Sequence, residues 1–197
     1  MQTENFSPQE SLQLIDNMIN RAKNRFNENG FLYLLWGWLV FICAIGHFIL
    51  LQTGWLKHPE IIWACCWLAV IFQVVYIVRK KKQEKVKTYS DGIIDSIWIC
   101  FGICMMVLSI IISRNNLWLY MYPIVMMLYG IPTFLSGSVM RFTPLKIGGI
   151  TCWGLAILST FILPVYYLIL LAAAVLIAWI IPGYLLRKKF NSQNDQL

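Results

Sequence analysis

Charge is what this sequence has least of: only 13% of its 197 residues are Asp, Glu, Lys or Arg. Soluble domains carry roughly 25%, so an ordinary water-facing surface is excluded. Histidine is scarcer still, limited to His47 and His58. There is no H-E-x-x-H pair, no pair of aspartates within the apolar runs, no Walker loop and no dinucleotide fingerprint. Intramembrane hydrolysis, nucleotide hydrolysis and hydride transfer each need one of those sets. We therefore expect no enzyme, no cofactor and no metal. The first thirty residues also lack a short apolar stretch followed by small residues, so no cleavable signal is expected and the first apolar run must direct targeting.

Cysteine is present but not where it would do chemistry. Cys43, Cys65, Cys66, Cys100, Cys104 and Cys152 all fall inside apolar runs, with no pair in a connecting loop and no His or carboxylate at ligand spacing. They read as small apolar core residues. Cys100 and Cys104 share a helix face, but two thiols without further ligands do not make a zinc site.

What the sequence has in abundance is apolar surface: 59% of residues are hydrophobic and 15% aromatic. The apolar residues form unbroken runs rather than alternating with polar ones, at 31–51, 61–78, 93–113, 117–139, 147–163 and 165–186. Each is near the ~20 residues a helix needs to cross ~30 Å of hydrocarbon. The fold class is thus all-α: a polytopic transmembrane bundle of six helices (31–186), preceded by an amphipathic cytoplasmic helix within 1–30 and followed by a cytoplasmic tail at 187–197. The lipid bilayer is the first expected partner.

Lys and Arg are distributed unevenly between the two ends of these runs. Arg21, Lys23 and Arg25, the loop residues Arg79, Lys80, Lys81, Lys82, Lys85 and Lys87, then Arg141, Lys146, Arg187, Lys188 and Lys189 all fall on one side; Lys57 and Arg114 alone fall on the other. Cation-rich loops stay in the cytoplasm, so both termini are expected there, in the cytoplasmic (inner) membrane. The formal charge of +7 is accordingly a topology and anionic-lipid signal, and no nucleic-acid partner is expected. Trp36, Trp38, Trp98, Trp179 and Tyr184 at inner helix ends, with Trp55, Trp63, Trp118, Tyr120, Tyr166 and Tyr167 at outer ends, read as interface anchors.

Before the first run, Ser7, Pro8 and Glu10 form a helix start of hydroxyl cap, first-turn proline and carboxylate three residues on. Leu12, Ile15, Ile19, Ala22 and Phe26 then recur at three-four spacing over about 8–27, with Asn17, Asn20, Arg21 and Asn24 opposite. The stripe can lie in the inner interface, pack back on the bundle, or pair with a helix of another protein. Asn29 and Gly30 suit a left-handed helix stop.

Polar groups inside spans are costly and each is a candidate site. Asp95 is expected to pair with Arg141, Lys146 or the basic loop, or else to hold a proton or cation. Gln73 is expected to bond a neighbouring helix. His47, His58 and Glu60 sit where boundary water explains them. In the fourth run, Gly130, Thr133 and Gly137 share a stripe beside Pro132, and the fifth offers Gly148, Gly149 and Cys152. Two readings follow: a tight small-residue hairpin, or a broken helix whose freed carbonyl near Leu128 lines a cavity, as in transporters. Pro123 and Pro182 are similar weak points, yet the two halves of the chain show no corresponding interruptions.

Five stretches carry a resemblance: Leu35-Trp36-Gly37-Trp38-Leu39-Val40, Lys87-Thr88-Tyr89, Tyr129-Gly130-Ile131-Pro132-Thr133-Phe134-Leu135-Ser136-Gly137, Phe142-Thr143-Pro144-Leu145-Lys146-Ile147-Gly148-Gly149 and Ile181-Pro182-Gly183-Tyr184. Through them the chain resembles an uncharacterised family of small bacterial six-helix membrane proteins, often encoded beside winged-helix regulators. The resemblance implies a regulated membrane function and supplies no catalytic residue. Two functions are expected to compete: a non-catalytic membrane component that binds a protein partner on the cytoplasmic side or in the membrane, and a small-solute or ion transporter using the fourth-helix break with Asp95.

Overall fold

A computed structural model describes residues 30–83 and 89–194. The amphipathic stripe of Leu12, Ile15, Ile19 and Phe26, and most of the basic loop, lie outside the described residues.

The first long helix, α1 (Phe31–Thr53), is bracketed by two glycines in left-handed conformation, Gly30 at φ 70° and Gly54 at φ 64°. Gly54 N–H closes the end of the helix on the Leu50 carbonyl at 3.1 Å, the cap that a residue without Cβ provides at least cost. A 3₁₀ turn, Pro59–Ala64, feeds α2 (Cys65–Gln83), and α3 spans Tyr89–Asn115. Asn116, at φ 54°, ends α3, and Leu117 N–H reaches back to the Ile112 carbonyl at 3.1 Å. A short 3₁₀ turn, Trp118–Tyr120, leads into α4 (Met121–Val139).

Between α4 and α5 (Thr143–Ser159), the chain reverses through Arg141 at φ 50°, with Phe142 N–H bonded to the Gly137 carbonyl at 2.8 Å. Pro144 lies in the first turn of α5, where its missing N–H costs nothing. That proline moves the helix start ahead of the expected 147, and the helix ends at Ser159 instead of 163. With 17 residues, α5 is ~25 Å long, the shortest of the six spans.

The last span consists of a 3₁₀ turn (Pro164–Tyr166), α6 (Tyr167–Val175), a π turn (Leu176–Ile180) and α7 (Ile181–Asn194), continuous as one rod. Helix thus continues well into the stretch expected to be a tail at 187–197.

The chain is an all-α, multi-pass membrane protein. Five of its helical segments are long and apolar enough to cross a bilayer, and α5 falls just short by length. The spans do not share the core equally. The closest pairing is the α4–α5 hairpin; α1 lies along α6 and the π turn, and α5 crosses the same turn from the other side. Val40, Ala44, Met126, Leu145, Cys152, Leu171, Val175 and Ala178 fill the space between them. On α3 the core takes Ile94 and Ile112, and from Ile61 to Arg79 no residue is buried.

Candidate functional site

Three arrangements of side chains bear on function. The first is the core around the π turn. One extra residue per turn interrupts the regular ladder there and re-aims side chains; Trp179, 2% exposed, points into the bundle. Its indole N–H donates to Thr133 Oγ1 at 2.9 Å, and Thr133 in turn donates to the Tyr129 carbonyl at 2.7 Å. The Tyr129 and Trp179 rings lie 4.5 Å apart, and Trp98 packs edge-on to Trp179 at 5.9 Å. Two glycines admit the turn: a Cβ on Gly37 would come within 2.8 Å of Ile180, and one on Gly148 within 2.6 Å of the Ala178 backbone. Trp179 is therefore a core residue rather than the interface anchor expected from its position. Tyr167, 8% exposed, is corrected in the same way. Trp55, Trp118, Tyr120, Tyr166 and Tyr184 are exposed, as anchors require.

The second arrangement gathers three elements at the end of the bundle opposite the cation-rich one. Trp63 Nε1 donates to His47 Nδ1 at 3.0 Å, and Tyr122 Oη lies 3.0 Å from the same nitrogen. Because indole can only donate, Nδ1 is an acceptor, so Tyr122 donates as well and the imidazole is neutral. His47 is buried, so boundary water does not account for it; His58 and Glu60 are exposed and paired with each other at 3.0 Å. The signal was available as three polar-tipped rings at one depth, but only helix rotation shows that they converge. We expect His47→Leu to strand both donors and lower the unfolding temperature in detergent, by the equivalent of roughly 1–3 kcal/mol. His58→Leu, fully at the surface, should leave that temperature where it is.

In the half of the same interface toward the cation-rich end, Gln73 Oε1 accepts from Trp36 Nε1 at 2.6 Å, so Gln73 does bond a neighbouring helix, α1. This is the main polar tie of α2 to the bundle among the described residues. Gln73→Leu is expected to cost little stability, ~0.6 kcal/mol as for an average interhelical bond, while making α2 easier to label or cleave.

The third arrangement is a groove of about 740 Å³ between α3 and α4. Gly92, Ser96, Cys100 and Cys104 line it from α3 at four-residue spacing, beside the larger Ile93, Ile97 and Phe101, and Leu128 and Pro132 belong to its α4 wall. Helix α4 is not broken at Pro132: it runs unbroken from Met121 to Val139. Gly130 is filled by the Trp153 indole, whose N–H takes the Met127 carbonyl at 3.1 Å, and a Cβ on Gly137 would come within 2.8 Å of Leu145. Gly149 packs on Phe134 and the Gly130 carbonyl. The glycines therefore serve the hairpin.

The expected site residues do not assemble into one place. Pro132 lines the groove; Gly130, Thr133, Gly137, Gln73 and the half-buried Asp95 do not. Nor do the cysteines share one role: Cys43 and Cys152 are buried core residues as expected, whereas Cys65, Cys100 and Cys104 are exposed. Among the described residues no three His, Cys, Asp or Glu side chains converge as metal ligands. No protein-family model, no curated protein and no solved structure matches the chain.

Proposed function

We propose that this chain is a non-catalytic component of the cytoplasmic membrane that binds a protein partner, with both termini in the cytoplasm. The observation that carries the reading is the unequal use of its helices: α2 buries no described side chain, and it meets α1 through the Trp36–Gln73 bond and the packing of Phe31 on Phe72 and Tyr76 along one edge. Apolar side chains such as Trp67, Ile71 and Val74 are exposed along it. Lipid is no less apolar than they are, so a partner helix would gain by shape and packing rather than by hydrophobicity. The filled glycines of α4 favour this reading over a transport path at the fourth helix. The likeness to six-helix proteins encoded beside winged-helix regulators agrees with a regulated membrane role.

The test is a cross-link from α2. A photoreactive residue in place of Trp67 or Phe72, in native membranes, is expected to capture one specific protein. Removal of residues 1–28 then separates a partner held by the N-terminal stripe from one held within the bilayer. Recovery of this chain alone from both forms would sink the proposal, and solute uptake by the purified protein in vesicles would replace it with the transporter.

A further inference from the structure

The α3–α4 groove has the dimensions of one leaflet. From Gly92 to Cys104 it runs ~18 Å along α3, slightly more than half of a ~30 Å hydrocarbon layer. It begins at the end of the bundle that carries the cations and stops at mid-membrane; beyond it α3 closes onto the core through Ile112, 1% exposed. A helix of a second protein would need a groove crossing both leaflets, whereas an acyl chain needs one. Small or slender residues at every fourth position hollow the α3 wall beside the larger side chains of Ile93, Ile97 and Phe101, and Pro132 and Leu128 are among the apolar residues of the other wall. The one hydroxyl in the α3 wall, Ser96, is satisfied within its own helix by the Gly92 carbonyl at 2.8 Å, so the lining asks nothing polar of its occupant.

Charge at the mouth selects the headgroup. Arg141, in the turn that follows α4, is exposed, and Lys146, Arg187, Lys188 and Lys189 lie at the same end of the bundle. Asp95 on α3 opposes them, and the formal charges of that end still sum to a net positive. A phosphate held there places its glycerol-linked chains at the groove entrance, and each cation near a membrane surface favours an anionic lipid by about fivefold.

We infer that the α3–α4 groove binds one acyl chain of an anionic glycerophospholipid, drawn from the leaflet at the cation-rich end of the bundle, with its phosphate among the cations of that end. This site is separate from the α2 surface of the proposed function and does not depend on it.

The experiment uses the full chain in phosphatidylcholine vesicles containing a trace of phosphatidylglycerol with a photoreactive group midway along one acyl chain. Adducts are expected on the peptides containing Gly92–Cys104 and Leu128–Leu135. Unlabelled phosphatidylglycerol should suppress them at a concentration at least about fivefold lower than phosphatidylcholine does. Cys100→Trp, which fills the groove, should reduce labelling about tenfold while the unfolding temperature stays near that of the parent; if that variant does not fold, Leu135→Trp on the opposite wall asks the same question. Arg141→Gln should reduce the preference for the anionic lipid without removing the adducts. Equal competition by the two lipids would overturn the headgroup assignment. Adducts spread evenly over the lipid-facing side chains of α2 and α3, or undiminished labelling of the filled groove, would show ordinary annular contact and overturn the site itself.

Discussion

Gly148→Ala is expected to destabilise the protein strongly, although it adds a single methyl group and removes nothing. The new Cβ would lie 2.6 Å from Ala178 Cα and 3.2 Å from both its Cβ and its carbonyl oxygen. No side-chain rotation relieves a clash with backbone, so α5 must move away from the π turn, and the hairpin it forms with α4 must follow. Overpacking of this kind costs roughly 1–3 kcal/mol. The same substitution at Gly154, six residues further along the same helix, meets nothing within 4 Å. There the intrinsic preference of helices for alanine over glycine, up to ~1 kcal/mol, should show unopposed. Thermal unfolding of the two variants in detergent, side by side, makes the comparison. If both shift the midpoint alike, the close approach of α5 to the π turn is wrong.

The second large effect is expected at Trp179. Trp179→Ala removes a ring that packs on Tyr129 and Trp98 and leaves a cavity between α3, α4 and the π turn, at a cost of roughly 3–5 kcal/mol. Trp179→Phe keeps one six-membered ring and loses the bond to Thr133 with part of the packed volume, so its cost should fall below that of Trp179→Ala, to roughly 1–3 kcal/mol. Thr133→Val strands the indole N–H in a site where Thr133 is fully buried, which predicts a loss of ~1–3 kcal/mol. Combining Trp179→Phe with Thr133→Val should cost clearly less than the sum, because the stranded donor is then gone. Strict additivity in unfolding midpoints would mean that the bond does not form in the membrane-inserted protein.

The residues involved show how far local reading reaches. Gly54 takes a left-handed conformation at the end of α1 because a chain leaving a helix readily adopts that geometry and glycine does so without strain; a glycine after an apolar run is a signal within a few residues. Pro144 acts the same way at the start of α5, and the apolar run beginning at 147 hid it. The His47, Trp63 and Tyr122 cluster was hidden for a different reason. Each of those residues has an ordinary boundary explanation on its own, and their convergence depends on how α1, the Pro59–Ala64 turn and α4 are rotated against one another. The π turn at Leu176–Ile180 carries no recognisable signal at all: its sequence is as apolar as the helix on either side, and it is held by Gly37, Gly148 and Thr133 from three other helices.

The residues alone were enough to show an all-α membrane protein, to place its apolar runs within a few residues, and to offer a tight hairpin for the glycines of α4 and α5 as one of two readings. Each of these follows from the cost of placing charge or unpaired backbone in hydrocarbon, a cost each segment bears independently of its neighbours. The tertiary structure alone decided which helices form the core, that Trp179 faces inward while Trp118 faces out, and that α3 and α4 leave a groove one leaflet deep. In water, hydrophobicity marks the buried face of a helix; in a bilayer both faces meet apolar surroundings, so the pattern loses that information and only the fit of side chains against one another restores it.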